Sequence, residues 1–290
     1  MFLEQVSNGI ALGSIYALTA IGYTLVYGII SLINFAHGDI YMMGAFYAMT
    51  AVTVLKFPII PAFIVGMMGA ALTGFLIARF AYQPVFGAPR INLFLCAVGA
   101  AYLLENFAML VWGPETKVFP LAINNPVYHI AALSFSKVQL IIIAVSVALV
   151  LALNYIVKYT RMGRAMRCVS QNMDVARLMG VNTDRIVFLT FMLGSALGAA
   201  AGILVGIYYN ALYPMMGFVP GLKAFIAAVI GGVGSIPGAM VGGLIMGLSE
   251  SLGAAYVSSG YRDAIAYVIL IVILLVRPQG LLGRAAADKI

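Results

Sequence analysis

Six predominantly apolar runs follow one another along the chain, at about 8 to 30, 39 to 55, 59 to 79, 93 to 112, 138 to 157 and 186 to 209. Each approaches the roughly 20 residues that a helix needs to cross a bilayer core. A longer stretch, 223 to 257, carries a Gly-Gly-x-Gly-Ser-x-Pro-Gly break, and a last run lies at about 263 to 276. The pattern predicts an all-α, polytopic helical membrane protein, one transmembrane domain over 1–290. Broken or re-entrant segments are expected near 34–39 and 231–238.

One long polar interruption stands out, RMGRAMRCVSQNMDVARLMGVNTD from Arg161 to Asp184. Met166, Val169, Met173, Ala176 and Met179 recur at helical spacing, while Arg167, Gln171 and Asp174 fall on another face. An amphipathic helix from Arg164 to Gly180 is therefore predicted, with Gly180 as its left-handed stop. From Lys158 to Arg185 the loop holds six basic residues against two acidic ones, which orients it toward the cytoplasm. The methionine face suggests a docking surface. The alternative is a solvated basic loop that sets orientation and attracts anionic lipid head groups.

Parity decides how to read the break after Lys223. With the loop 158–185 inside, the span 186 to 209 ends outside, and Arg277, Arg284 and Lys289 place the C-terminus inside. The break must then be a hairpin: a short segment, a turn from Gly231 to Gly238 through Gly232, Gly234 and Pro237, and a return span to 257. This gives about nine membrane segments, one or two of them short. The N-terminus falls outside, and no Lys or Arg precedes Lys56, so a cleaved signal peptide is not expected. Residues 29–46 and 227–244 share a loose pattern of apolar stretch, broken turn and small-residue helix, a pairing typical of a transporter's central pathway.

Composition narrows the function further. The chain is 63 % hydrophobic and 9 % charged, and its net charge of +7 sits in loops flanking the apolar runs instead of forming a nucleic-acid-binding face. Cys96 and Cys168 belong to different compartments, so no disulfide is expected. Gly194, Gly198, Gly202 and Gly206, and again Gly238, Gly242, Gly243 and Gly247, have the small-residue spacing that lets helices approach closely.

Few ionisable groups lie at membrane depth: His37 and Asp39 at the first break beside Asn34 and Gly38, Glu105 in the fourth run, and Glu250 in the return span. Each is costly there and so a candidate for lining a pathway. Their structural alternatives are a helix cap for Asp39, pairing with a neighbouring helix amide such as that of Asn106 for Glu105, and internal pairing for Glu250 and His37. No GxxxxGK[ST] motif is present, so the chain is not expected to hydrolyse ATP. His37 and His129 stand alone, without metal-ligand spacing, and no catalytic constellation appears. The expectation is a transporter or channel, not an enzyme.

Four phrases together, GSIYALTAIGYTLVYGIISLINFAHGD (13–39), YTRMGRAMRCVSQNMDVARLMGVNTDR (159–185), KAFIAAVIGGVGSIPGAMVGGLIMGLSE (223–250) and RPQGLLG (277–283), resemble the permease subunits of ABC importers for branched-chain amino acids. Related urea and short-amide permeases share versions of them. The resemblance implies a second, similar permease, two cytoplasmic ATPase subunits that use the ATP, and an extracytoplasmic substrate-binding protein. It implies that the loop is a coupling helix on the ATPase, through Arg164, Arg167, Gln171, Asp174, Arg177, Gly180 and Asp184. The family's acidic residue near the start of that helix is here Gln171 followed by Asn172, which keeps a polar contact and removes a charge. An ion-coupled secondary transporter using Glu105 or Glu250, and a passive channel for a neutral solute, are the competing classes.

Overall fold

The computed structural model describes residues 2–30, 34–120, 125–130 and 133–283. Expectations placed on Arg284, Lys289 and the side chain of His129 lie outside the described residues. The helices are α1 (Phe2–Ile30), α2 (His37–Thr53), α3 (Ile59–Leu76), α4 (Arg90–Trp112), α5 (Lys137–Tyr159), α6 (Arg161–Gln171), α7 (Met173–Leu178), α8 (Thr183–Tyr209), α9 (Phe218–Gly231), α10 (Ile236–Tyr256) and α11 (Arg262–Val276). A small antiparallel hairpin, β1 (Val127–Ile130) and β2 (Leu133–Ser136), precedes α5, with Val127 opposite Ser136. Ser136 then starts α5 with a reciprocal cap, its hydroxyl accepting from the Gln139 amide while Gln139 accepts from the Ser136 amide.

Among the described residues seven segments are long and apolar enough to span a membrane, fewer than the nine membrane segments expected; α9, at 14 residues, is a shorter apolar helix, and α2 has 17 residues. Their burial is uneven. The most apolar window of α1 is 94 % buried within the chain and that of α8 72 %, whereas that of α11 is 6 % buried. In water such exposed apolar helices would be untenable; in a bilayer, lipid covers them.

The centre is held by small residues. A methyl group on Gly9 or Gly13 of α1 would lie 2.9 Å from the Cα of Leu248 or Leu244 on α10, so the two helices run antiparallel with backbones in contact. In α8, Gly194 faces Gly22, Gly198 faces the His37 ring, and Gly202 faces Tyr41. The four-residue glycine spacing read from the sequence is thus the seam along which α1, α2 and α8 meet.

The hairpin required by parity is present. Gly232 and Gly234 adopt positive φ (101° and 93°), and the Ser235 hydroxyl caps α10 by accepting from the Gly238 amide at 3.2 Å. Pro237 occupies the first turn of α10, where no intrahelical N–H is needed. The segment after α11 folds over this turn: the Leu281 and Leu282 amides donate to the Ile230 and Gly231 carbonyls at 2.8 and 2.9 Å. These bonds satisfy the end of α9, which gives RPQGLLG a structural task. Gly28, Val157, Met166, Arg167, Gly234 and Ile236 line one groove, so this turn and α6 share one end of the bundle.

Candidate functional site

The first break is built by Asn34. Its side-chain oxygen accepts from the Ala36 amide at 3.2 Å and from the Tyr82 hydroxyl at 3.0 Å, and its carbonyl accepts from the His37 amide at 3.0 Å. This turn starts α2 inside the bundle, because His37 lies against Gly22 and Gly198 in the interiors of α1 and α8. A second chain entry meets it there. After α8 the chain turns through Asn210 and Met215, both at positive φ (52° and 73°), and begins α9 at Phe218. Gly38 and Gly217 are in backbone contact, and a methyl on Gly221 would lie 2.9 Å from the Gly38 Cα. The starts of two short helices therefore face each other inside the protein, each presenting the positive end of its dipole.

The segment packed against the 34–39 break is 210–221, not the 227–244 that shares its sequence pattern. Gly231, Gly232, Gly234 and Pro237 form the turn at the end of the bundle and lie away from this junction. The physical reason is length: α9 starts earlier than the apolar run suggested and uses its 14 residues to reach from the junction to that end.

A cavity of about 260 Å³ opens beside the junction, lined by Tyr23, Phe35, Gly38, Asp39, Glu105, Met215, Phe218 and Phe225 among others. Asp39 and Glu105 are both buried, and Asp39 Oδ1 has no hydrogen-bond partner among the described residues. Asn106 does not pair with Glu105; its amide donates to the Tyr102 carbonyl at 2.7 Å.

His37 and Glu250 sit elsewhere. His37 is buried, lies tilted against Tyr23 with ring centroids 4.5 Å apart, and fills the gap between Gly22 and Gly198, its Nε2 without a hydrogen-bond partner among the described residues. Glu250 belongs to an internal charge cluster: it accepts from Tyr16 Oη at 2.7 Å and Lys223 Nζ at 2.9 Å, with Arg262 Nε at 3.5 Å. Lys223 also reaches Asp263 at 2.7 Å. Lys223 is the residue that sequence reasoning passed over; a lysine inside an apolar run was the available signal.

The polar loop is two helices, not one. Asn172 is extended, and its side chain accepts from the Asp174 and Val175 amides at 3.0 and 3.1 Å, ending α6 and capping α7. Gly180, at φ 83°, closes α7 with the paired bonds of a glycine stop, its own amide to Arg177 and that of Val181 to Ala176. The expected docking stripe faces inward: Met166, Val169 and Ala176 are buried and Met173 packs on the same core. Val175, Leu178 and Met179 point outward instead, the last two 86 % and 79 % exposed.

The polar loop residues divide likewise. Arg167 donates to the Val157 carbonyl and so fastens α6 to the end of α5. Arg177 donates to Thr183 Oγ1 at 3.0 Å and lies 3.8 Å from Asp184, which accepts from Gln83 at 3.1 Å. That chain links α7 to the start of α8 and to Gln83 in the helical turns that follow α3. Arg164, Gln171 and Asp174 are exposed and make no side-chain bond to the bundle among the described residues.

The loop is thus anchored to the bundle from beneath and presents an apolar outer face. Over residues 5–274 the chain matches the family described as the branched-chain amino acid transport system, permease component. The chain belongs to this permease family. It is 42 % identical to the high-affinity branched-chain amino acid transport system permease protein LivH of Escherichia coli K12, over 100 % of this chain and 98 % of that one. It is 39 % identical to the corresponding BraD of Pseudomonas aeruginosa, over the same shares. A solved structure, PsaBC from Streptococcus pneumoniae in complex with Fab, resembles it with a TM-score of 0.53 at 10 % identity, covering 94 % of this chain and 91 % of that chain. That likeness concerns the fold alone. The permease is a multi-pass membrane protein and a transport component, not an enzyme.

Proposed function

We propose that this permease is one membrane subunit of an ATP-driven importer that carries leucine, isoleucine, valine or similar amino acids across the cytoplasmic membrane of a bacterium or archaeon. The complete importer contains a second homologous permease, two cytoplasmic ATPases and an extracytoplasmic binding protein. The observation that carries the reading is the outer face of α7. Val175, Leu178 and Met179 form an exposed apolar patch on a loop whose basic residues hold it outside the bilayer, and such a patch calls for a protein partner. Arg164, Gln171 and Asp174 are exposed on the same loop and add polar groups to it.

In this reading α6 and α7 dock in a groove on the ATPase, with the loop and the C-terminus in the cytoplasm and the N-terminus outside. ATP-driven closure of the ATPase pair pushes the loop. The push reaches α5 through Arg167, and α8 and the helical turns after α3 through Arg177, Asp184 and Gln83. The glycine seams between α1, α2, α8 and α10 contain few interdigitating side chains and permit the helices to rock. Hydrolysis resets them.

The test is to tag the chain, extract it from native membranes in mild detergent and identify what accompanies it by mass spectrometry. An ATPase and a second permease are expected. Recovery of the chain alone, while a known ABC complex run alongside stays intact, together with uptake that collapses with an uncoupler and not with ATP depletion, would replace the importer by an ion-coupled transporter.

A further inference from the structure

The cavity beside the helix junction has a one-sided electrostatic composition. Two carboxylates, Asp39 and Glu105, line it, and among the described residues no lysine, arginine or histidine does. Asp39 is 3 % exposed with Oδ1 unpaired, and Glu105, 6 % exposed, enters no hydrogen bond or ion pair formed among the described residues. The membrane-depth cations are committed elsewhere: Lys223 and Arg262 lie on Glu250 and Asp263. Buried carboxylates without a cation are costly unless a proton neutralises them or something positive joins them. Apolar and aromatic groups make up the rest of the wall, notably Phe35, Phe218 and Phe225.

We propose that Asp39 and Glu105 are the subsite for the substrate's ammonium group, with the aromatic wall receiving its aliphatic side chain. This deepens the reading of the chain as an amino-acid importer subunit and rests on it. The remaining charge of a zwitterion is matched nearby, since α2 and α9 both begin at the cavity and direct their positive ends toward it. The composition selects a substrate with a cationic head and an apolar tail and rejects an anion. It also disfavours an uncharged amide such as urea, which would leave both carboxylates unpaired.

The test uses the whole importer in proteoliposomes with its binding protein, reading leucine uptake and ATP hydrolysis stimulated by leucine-loaded binding protein. Asp39→Asn and Glu105→Gln are expected to lower uptake roughly tenfold or more while stimulated hydrolysis stays within about twofold of wild type. Glu105→Asp, which keeps the charge, should retain clearly more uptake than Glu105→Gln. A leucine analogue with a diazirine in its side chain should crosslink to Phe35, Phe218 or Phe225 in the wild type and lose that crosslink in the two neutral variants. Near-wild-type uptake in both neutral variants, hydrolysis falling in step with uptake, or an unchanged crosslink would overturn the subsite. A wild-type complex that takes up no leucine with ATP would instead overturn the importer reading, and that arm is read without any variant.

Discussion

Lys223 Nζ lies 2.9 Å from Glu250 Oε1, joining α9 to α10 in a place where both side chains are almost fully buried. Asp263, on the other side of the lysine, is more than half exposed and contributes little by itself. Removing one member of a buried pair leaves the other uncompensated, at a cost of roughly 3–5 kcal/mol. Lys223→Met should therefore lower the thermal midpoint of the detergent-solubilised protein more than Lys223→Met combined with Glu250→Gln, because the double variant leaves no bare buried carboxylate. Tyr16 and Arg262 remain beside Glu250 in the single variant and place its effect at the lower end of that range. Equal losses in single and double variants would show that α9 is held by packing alone.

Leu178 and Met179 are the exposed apolar residues of the loop, and Met166 and Ala176 its buried ones. Leu178→Asp with Met179→Asp should abolish ATP-driven uptake and release the ATPase during purification, without changing the permease's thermal midpoint. Met166→Asp or Ala176→Asp should do the reverse first, lowering the midpoint by placing a charge against α1, α5 and α8. The two sets exchanging phenotypes would sink the assignment of the outer face.

How far the sequence reached is visible at this loop. The period that identifies a helix also identifies an apolar face, but it does not say what that face meets. Between a bundle and water, the bundle claimed Met166, Val169 and Ala176, and the residues left over became the docking face. The break at Asn172 was only hinted at: asparagine prefers a cap to mid-helix, but the continuous apolar period across it masked that preference. At the centre, the 34–39 break was legible from NFAHGD. Its partner was not, since 210–221 shares no motif with it, and only the spacing of Pro214, Gly217, Pro220 and Gly221 marked an irregular chain. The hairpin after Gly231 was legible because charge parity demanded it.

Gly38 and Gly217 touch through their backbones at the helix junction. Alanine at either position adds a methyl where the opposite carbonyl already sits, and overpacking of this kind costs about 1–3 kcal/mol. Gly217→Ala is expected to lower the thermal midpoint modestly and to reduce transport more strongly, since the shift falls on the wall of the cavity holding Asp39. Gly99→Ala, facing open space, serves as the control and should leave both unchanged. A Gly217→Ala protein with wild-type uptake would show that the junction is not part of the pathway.

Asn172 is tested by its cap. Its oxygen satisfies two amides at the start of the six-residue α7, and replacing such a cap by alanine costs about 1 kcal/mol. A helix so short has little else to hold it, so Asn172→Ala should loosen α7 while leaving the spans intact. Amide exchange over 173–179 should quicken and uptake should fall, with the global midpoint nearly constant. Asn172→Asp, which preserves the acceptor, should restore both. Failure of the aspartate to restore exchange protection would mean that the amide group, not the cap, is what the loop requires.

Cys168 is exposed on α6, whereas Cys96 lies within α4 and is only partly accessible. The two thiols therefore report the orientation of the chain directly. A membrane-impermeant maleimide added to inside-out vesicles stripped of peripheral proteins should modify Cys168. In right-side-out vesicles it should leave Cys168 unmodified until they are permeabilised. Cys168→Ser removes the signal and identifies it, because Cys96 faces the apolar groove between α3 and α4 and gives a charged reagent no aqueous route. Labelling from the opposite side would put α7 outside. No ATP-hydrolysing partner could then reach Leu178 and Met179, and the importer reading would fail together with the charge asymmetry that oriented the loop.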